Sequence, residues 1–186
     1  MRAHSGSPAR WLAGLGLVLA MWWVAFEQGD RIPLLTYVNL GVHELGHMLT
    51  YSWSELNTML AGSVLQVAVP ILVAAYFFFR RDDWVAAGVC LVWAATSAIE
   101  VAIYVADAPV QQLDLIGGRH DWAYILGPDG YAAMDQADSI ATQIRDGAWI
   151  ATVLGFVLCL AAPLRGRRAQ EEATEPASRA TAPSRP

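Results

Sequence analysis

The sequence predicts an all-α, polytopic membrane protein. Three observations carry this. The 186 residues are 55% hydrophobic and only 16% charged. The mean hydropathy of +0.35 lies above that of an ordinary soluble domain. The apolar residues also come in runs long enough to cross a bilayer rather than in helical or strand stripes. All 12 basic residues are Arg, and none lies in a basic patch interleaved with aromatics, so nucleic acid is not a predicted partner. Membrane lipid is the expected partner.

The elements follow in chain order. Residues 1–10 form a polar tail carrying Arg2 and Arg10. Residues 11–26, "WLAGLGLVLAMWWVAF", make the first span; "VAFEQGD" lacks a small-x-small cleavage site, so an uncleaved anchor is expected rather than a signal peptide. Residues 33–51 form a helix that enters the membrane partly or fully, with Pro33 in its first turn. Residues 58–79 make a clear span with a kink expected at Pro70, and 84–106 make the next. Residues 107–143 read as an outer loop and 147–164 as the last span. The tail 165–186, rich in Arg, Ala, Glu, Pro and Ser, reads as disordered. Cys90 and Cys159 sit inside apolar runs and read as small hydrophobes, with no disulfide framework.

Arg placement sets the orientation. If 33–51 dips in and returns, Arg2, Arg10, Arg80, Arg81, Arg165, Arg167 and Arg168 share one side, the cytoplasm, and Arg31, Arg119 and Arg145 face outward. If 33–51 crosses, Arg80, Arg81 and the C-terminal cluster move outside and the bias is lost. Four full spans plus one re-entrant helix is therefore the expected arrangement. It brings 33–51 and 107–143 to the same side. The Ala- and Arg-rich, Lys-free composition suggests a bacterial inner or plasma membrane.

The chemistry concentrates in "TYVNLGVHELGHMLTY", residues 36–51. Residues four apart share a helix face, so His43 and His47 can aim ring nitrogens at one ion. With Glu44 after the first His, the stretch has the HExxH pattern of zinc hydrolases. Two neutral imidazoles suit zinc and leave room for a third ligand and a water, whose proton Glu44 would take as general base. Zinc is thus the expected cofactor. The alternative is a polar helix face satisfied by neighbouring helices, since two His and a Glu near a bilayer are costly without partners.

"VHELGHMLT" resembles the site-2 protease family of intramembrane zinc metalloproteases, in which HELGH is the usual form and a later helix supplies an Asp as third ligand. The resemblance implies a membrane-embedded peptidase acting on a membrane-protein or peptide substrate. The family's second motif, Asn-Pro followed by Leu-Asp-Gly, is absent in standard form; "LDLIGG" and "GPDG" match pieces of it. The third metal ligand is expected from His120 or Asp121 in "GGRHDWAYIL", one binding while the other orients it; "RHD" capping a short surface helix is the alternative. Asp107 and Glu100 remain open as ligands or as paired groups within the bundle. Ser63 and Gln66 are expected at helix contacts. A non-enzymatic metal-binding or scaffold protein retaining the site is the competing function. Four His are too few for a di-iron oxidase, and the absence of an internal repeat weakens a transporter.

Overall fold

The structure, a computed structural model, describes residues 7–29, 32–115 and 119–180; His4, Arg2, Arg31 and the Gly117-Gly118 pair lie outside them. It is helical, with no strand among the described residues: α1 (Pro8–Trp22, continued by one π-type turn over Trp23–Glu27), α2 (Leu35–Thr50), α3 (Glu55–Arg81), α4 (Trp84–Asp107), α5 (Asp121–Leu126) and α6 (Ala137–Ala180). Four helices are long and apolar enough to cross a membrane: Pro8–Glu27, Glu55–Arg81, Trp84–Asp107 and Met134–Arg165. At 16 residues α2 falls short of the roughly 20 a spanning helix needs.

Polar side chains close the helix starts. Ser7 accepts from the Arg10 amide at α1, with Pro8 in the first turn, and Ser54 and Asp83 serve α3 and α4 in the same way. The tight α3–α4 turn places Asp82 in the left-handed region (φ 48°), a conformation Asp tolerates better than most residues.

α4 is the central helix and packs against α1, α3 and α6. Its buried face is built of small residues, among them Ala87, Gly88, Ala94, Ala95, Ser97 and Ala98. In lipid there is little hydrophobic drive between helices, so close backbone approach replaces it. The α4–α6 crossing shows how close: a Cβ on Gly155 would lie 2.7 Å from Val92 Cγ2 and 2.8 Å from the Gly88 carbonyl. Gly155→Val is accordingly expected to destabilise the bundle by about 1–3 kcal/mol, whereas Gly147→Ala, a position with nothing within 4 Å, leaves thermal unfolding in detergent unchanged or slightly raised.

Contacts between helix ends define two ends of the bundle. Arg10 pairs with Asp83, and Arg165 with Asp82 at 3.2 Å, gathering the start of α1, the α3–α4 turn and Arg165 of α6. The end of α4, α5 and the start of α6 lie at the opposite end, where Val105 and Ala108 pack with Ile125, Leu126, Ala137 and Ala141. α2 does not run between the two. Ile32 and Leu35 pack on Val18, Val92 and Cys159, in the interior of α1, α4 and α6. Its other end meets the start of α3, where Thr58 Oγ1 donates to the Thr50 carbonyl at 2.7 Å. The chain thus turns back partway along the bundle at the exposed Leu34, whose φ is 66°.

Several boundaries differ from those read in the sequence. Pro33 precedes α2 rather than opening it. The 107–143 stretch is not all loop: it contains α5 and the first turns of α6. Those turns are amphipathic, with Ala137, Ala141, Ile144 and Ala148 at helical spacing toward the bundle while the polar residues between them face outward. α6 also runs on to Ala180 through a segment whose composition reads as disordered. Ala, Arg, Gln and Glu are good helix formers, and extension of an existing helix avoids the cost of nucleation. Residues 181–186 lie outside the described residues.

Candidate functional site

α2 lies against α3 through backbone contact at Gly46. A Cβ there would sit 2.5 Å from the Ala61 carbonyl oxygen and 2.9 Å from Gly62 Cα. This approach brings His43 and His47, one turn apart, beside α3.

Each imidazole has one nitrogen fixed from behind. His47 Nδ1 lies 2.8 Å from the Thr58 carbonyl. A carbonyl only accepts, so Nδ1 carries a proton, and in the neutral ring Nε2 is left with its lone pair. His43 Nδ1 lies 3.1 Å from Gln66 Oε1, and Gln66 Nε2 donates to Glu100 Oε2 at 3.1 Å. The carboxylate orients the amide, and the amide oxygen takes the His43 Nδ1 proton. Nε2 of His43 is therefore also an open lone pair.

Both lone pairs point at the same carboxylate oxygen. Asp121 Oδ2 is 3.0 Å from His43 Nε2 and 3.2 Å from His47 Nε2. Among the described residues these three form the cluster able to hold a metal ion, with all ligand atoms within 4.8 Å of one another. His43 and Asp121 are buried, at 7% and 8% exposure. Three electron-rich atoms repel one another there unless a cation sits between them.

Asp121 is held firmly. It opens α5, whose Ile125 and Leu126 are buried against α4 and α6. Its amide donates to Tyr104 Oη at 2.9 Å, and the next residue, Trp122, donates from Nε1 to Ser63 Oγ at 3.0 Å. At the exposed side, Arg119 pairs with Glu55 at 2.5 Å and lies 4.7 Å over the Tyr124 ring, tying the approach to α5 to the start of α3. Beneath Trp122 an apolar cavity of about 520 Å³ opens between α3, α4 and α6.

The neighbour, His120, faces elsewhere. Its Nδ1 accepts from the Ala123 amide at 3.2 Å as the cap of α5, and its Nε2 lies 3.2 Å from Asp107 Oδ2. Burial holds its pKa below the ordinary histidine value, although Asp107 pushes the other way. The neutral ring thus donates from Nε2 and spends its lone pair on the backbone, so neither nitrogen faces the cluster. It stacks on Tyr104 at 4.3 Å, beside the group that holds the Asp121 amide. Asp107 accepts the Gln112 and Leu113 amides as well as His120, and it organises the turn after α4. Glu100 lies outside the cluster and reaches it through Gln66. Glu44 is half-buried and makes no hydrogen bond or ion pair among the described residues.

Sequence reasoning did not single out Thr58, Asn39 or Tyr104, and it reads Gly62 only as part of a close helix contact, "AGS" at 61–63. Gly62 stands over the cluster: a Cβ there would lie 2.7 Å from His43 Nε2, His47 Cε1 and His47 Nε2. Small residues at 61–63 were a signal for helix contact, not for a ring-to-backbone approach. Compared with known proteins, the chain matches no family model, no curated protein and no solved structure, so the site is read from its own geometry.

Proposed function

We propose that the protein is a membrane-embedded, zinc-dependent hydrolase of the peptidase class, similar in its site to the site-2 proteases. The observation that carries the reading is the convergence of His43 Nε2, His47 Nε2 and Asp121 Oδ2 as three candidate ligand atoms. With zinc–ligand distances of about 2.0–2.1 Å, the edge of a tetrahedral site is about 3.3 Å. The two Asp121 separations, 3.0 and 3.2 Å, are close to that edge. Two neutral imidazoles and one carboxylate leave a fourth position open, as hydrolytic zinc sites require. The His-His-Asp set is also the one the resemblance implies.

Zinc, when bound, would polarise a substrate carbonyl and bring the pKa of a coordinated water to roughly 7. The chain's own residues do the rest. Gln66 and the Thr58 carbonyl hold the two rings in register. Glu44, adjacent to His43 and unpaired among the described residues, accepts the proton of the attacking water and returns it to the leaving amine. The apolar cavity beside Trp122 suits the apolar side chains of a membrane-protein or peptide substrate. The bundle end that gathers Arg10, Arg80, Arg81 and Arg165 faces the cytoplasm of a bacterial inner membrane, and the site opens toward the opposite face.

Metal analysis of the detergent-purified protein tests the reading. Wild type is expected to hold about one zinc per chain, and His43→Ala, His47→Ala and Asp121→Ala to lose it. His120→Ala, which removes a cap and not a ligand, keeps it. Wild type that takes up no zinc, or a His120→Ala that loses it while Asp121→Ala does not, would sink this assignment of the site.

A further inference from the structure

Glu100 is half-buried on α4, and two helices, α2 and α3, turn three donors toward it. Thr36 Oγ1 donates to Oε1 at 2.8 Å, while Asn39 Nδ2 at 2.8 Å and Gln66 Nε2 at 3.1 Å donate to Oε2. Asn39 is itself fixed: its Oδ1 accepts from Trp93 Nε1 at 2.8 Å and Ser97 Oγ at 3.1 Å, and its side chain is 1% exposed. Every group on Glu100 in this network is neutral and donates, the pattern an ionised carboxylate accepts. A carboxylate in a spanning helix is costly, and such groups pair with opposite charge or line a functional path.

The nearest place for positive charge is the cluster itself. Glu100 Oε2, Gln66 and His43 Nδ1 form an unbroken chain from the carboxylate to the imidazole. We propose that Glu100 is a remote counter-charge of the metal site: acting through Gln66, it makes His43 a stronger donor and adds negative charge that favours a divalent cation at the cluster. The inference rests on the metal reading of the cluster. Glu100 is here a positioning residue; it touches neither the ion nor the substrate. A metal-bound imidazole commonly passes its second N–H to a carboxylate or carbonyl. Here an amide is interposed, which keeps the negative charge one residue back from the ion while preserving the link.

The consequence is a preference rather than a shape. The Glu100 charge attracts a dication held at the cluster, so removing it weakens the ion's hold. Gln66→Glu combined with Glu100→Gln moves the same charge one position along the chain, onto His43 Nδ1, and keeps the total.

Zinc affinity by competition with a chromophoric chelator, and the visible spectrum of the Co(II)-loaded protein, test this in detergent. Glu100→Gln is expected to lose about 10- to 100-fold in zinc affinity and to shift the cobalt bands. Gln66→Met, which cuts the link while leaving Glu100 in place, is expected to show a similar loss, and it serves if Glu100→Gln does not fold. The double swap is expected to recover most of the affinity. A folded Glu100→Gln with wild-type zinc affinity and cobalt spectrum overturns the proposal while leaving the metal site standing. So does a double swap no tighter than the single variant. Wild type that takes up neither zinc nor cobalt overturns the metal reading and this proposal with it.

Discussion

Glu44→Gln is expected to keep the full zinc content and the helical fold while hydrolysis of a casein probe in detergent falls by about 10²–10⁴-fold, the range of a lost general base. The expectation follows from where Glu44 is not. It belongs to neither the His43–His47–Asp121 cluster nor the Gln66–Glu100 network, so its amide isostere breaks no hydrogen bond or ion pair among the described residues. A residue kept for structure would show a partner, and a residue kept for metal would stand with the ligands. A half-buried carboxylate that does neither, beside the first ligand, is suited to carry a proton. The pattern of outcomes separates the functions. Zinc retained with activity lost supports the hydrolase. Zinc retained with casein untouched by wild type and variant alike supports a metal-binding protein that keeps the site without turnover. Loss of zinc on Glu44→Gln would make Glu44 a ligand and contradict the geometry of the site.

What was legible in the sequence was what is local. His43 and His47 sit four apart on one helix, so their shared face follows from helix geometry alone. The four long apolar runs read as helices for the same reason, and all four are present. His120 and Asp121 were harder. They are adjacent, and which of them faces α2 depends on where α5 begins. The helix starts at Asp121, so His120 is left outside as the cap with its lone pair on the Ala123 amide. A one-residue shift in that start would exchange their directions, and no periodicity marks a six-residue helix that sharply. Glu100 was legible as an expensive residue but not in its partners. Thr36, Asn39 and Gln66 come from two helices and meet only because α2 begins partway along the bundle beside α4. The start of α6 was hidden by its composition, because Asp138, Gln143, Arg145 and Asp146 read as loop until Ala137, Ala141 and Ile144 are seen to face the bundle.

Gly62→Ala is expected to cost about 1–3 kcal/mol at the site, the range for forcing one methyl into a filled space, which is about five- to 150-fold in zinc affinity. The methyl has nowhere to go. It would meet His43 Nε2 and His47 Nε2 at 2.7 Å, and these are the two nitrogens that must stay free for the ion. The rings cannot retreat, because Gln66 and the Thr58 carbonyl hold them from behind. Nor can α3 back away, because Gly46 rests on the Ala61 carbonyl and Gly62 Cα of the same turn. The substitution therefore separates site from scaffold. A glycine in a helix interior is a liability of about 0.5–1 kcal/mol relative to alanine, so a folded Gly62→Ala gains helix stability even as it loses the ion. Gly41→Ala is the matched comparison, an α2 glycine with nothing within 4 Å. It is expected to keep full zinc affinity and to unfold at the same or a slightly higher temperature. Chelator competition and thermal unfolding on the two variants, side by side, measure both quantities. If Gly62→Ala binds zinc as tightly as Gly41→Ala, the two imidazoles do not converge beneath Gly62 with the ion between them. The close approach of α2 and α3 would then be packing alone. If it loses zinc and keeps its fold, the small residues at 46 and 62 are there for the site, because side-chain-free backbone is what allows two ring nitrogens to stand this close to a neighbouring helix.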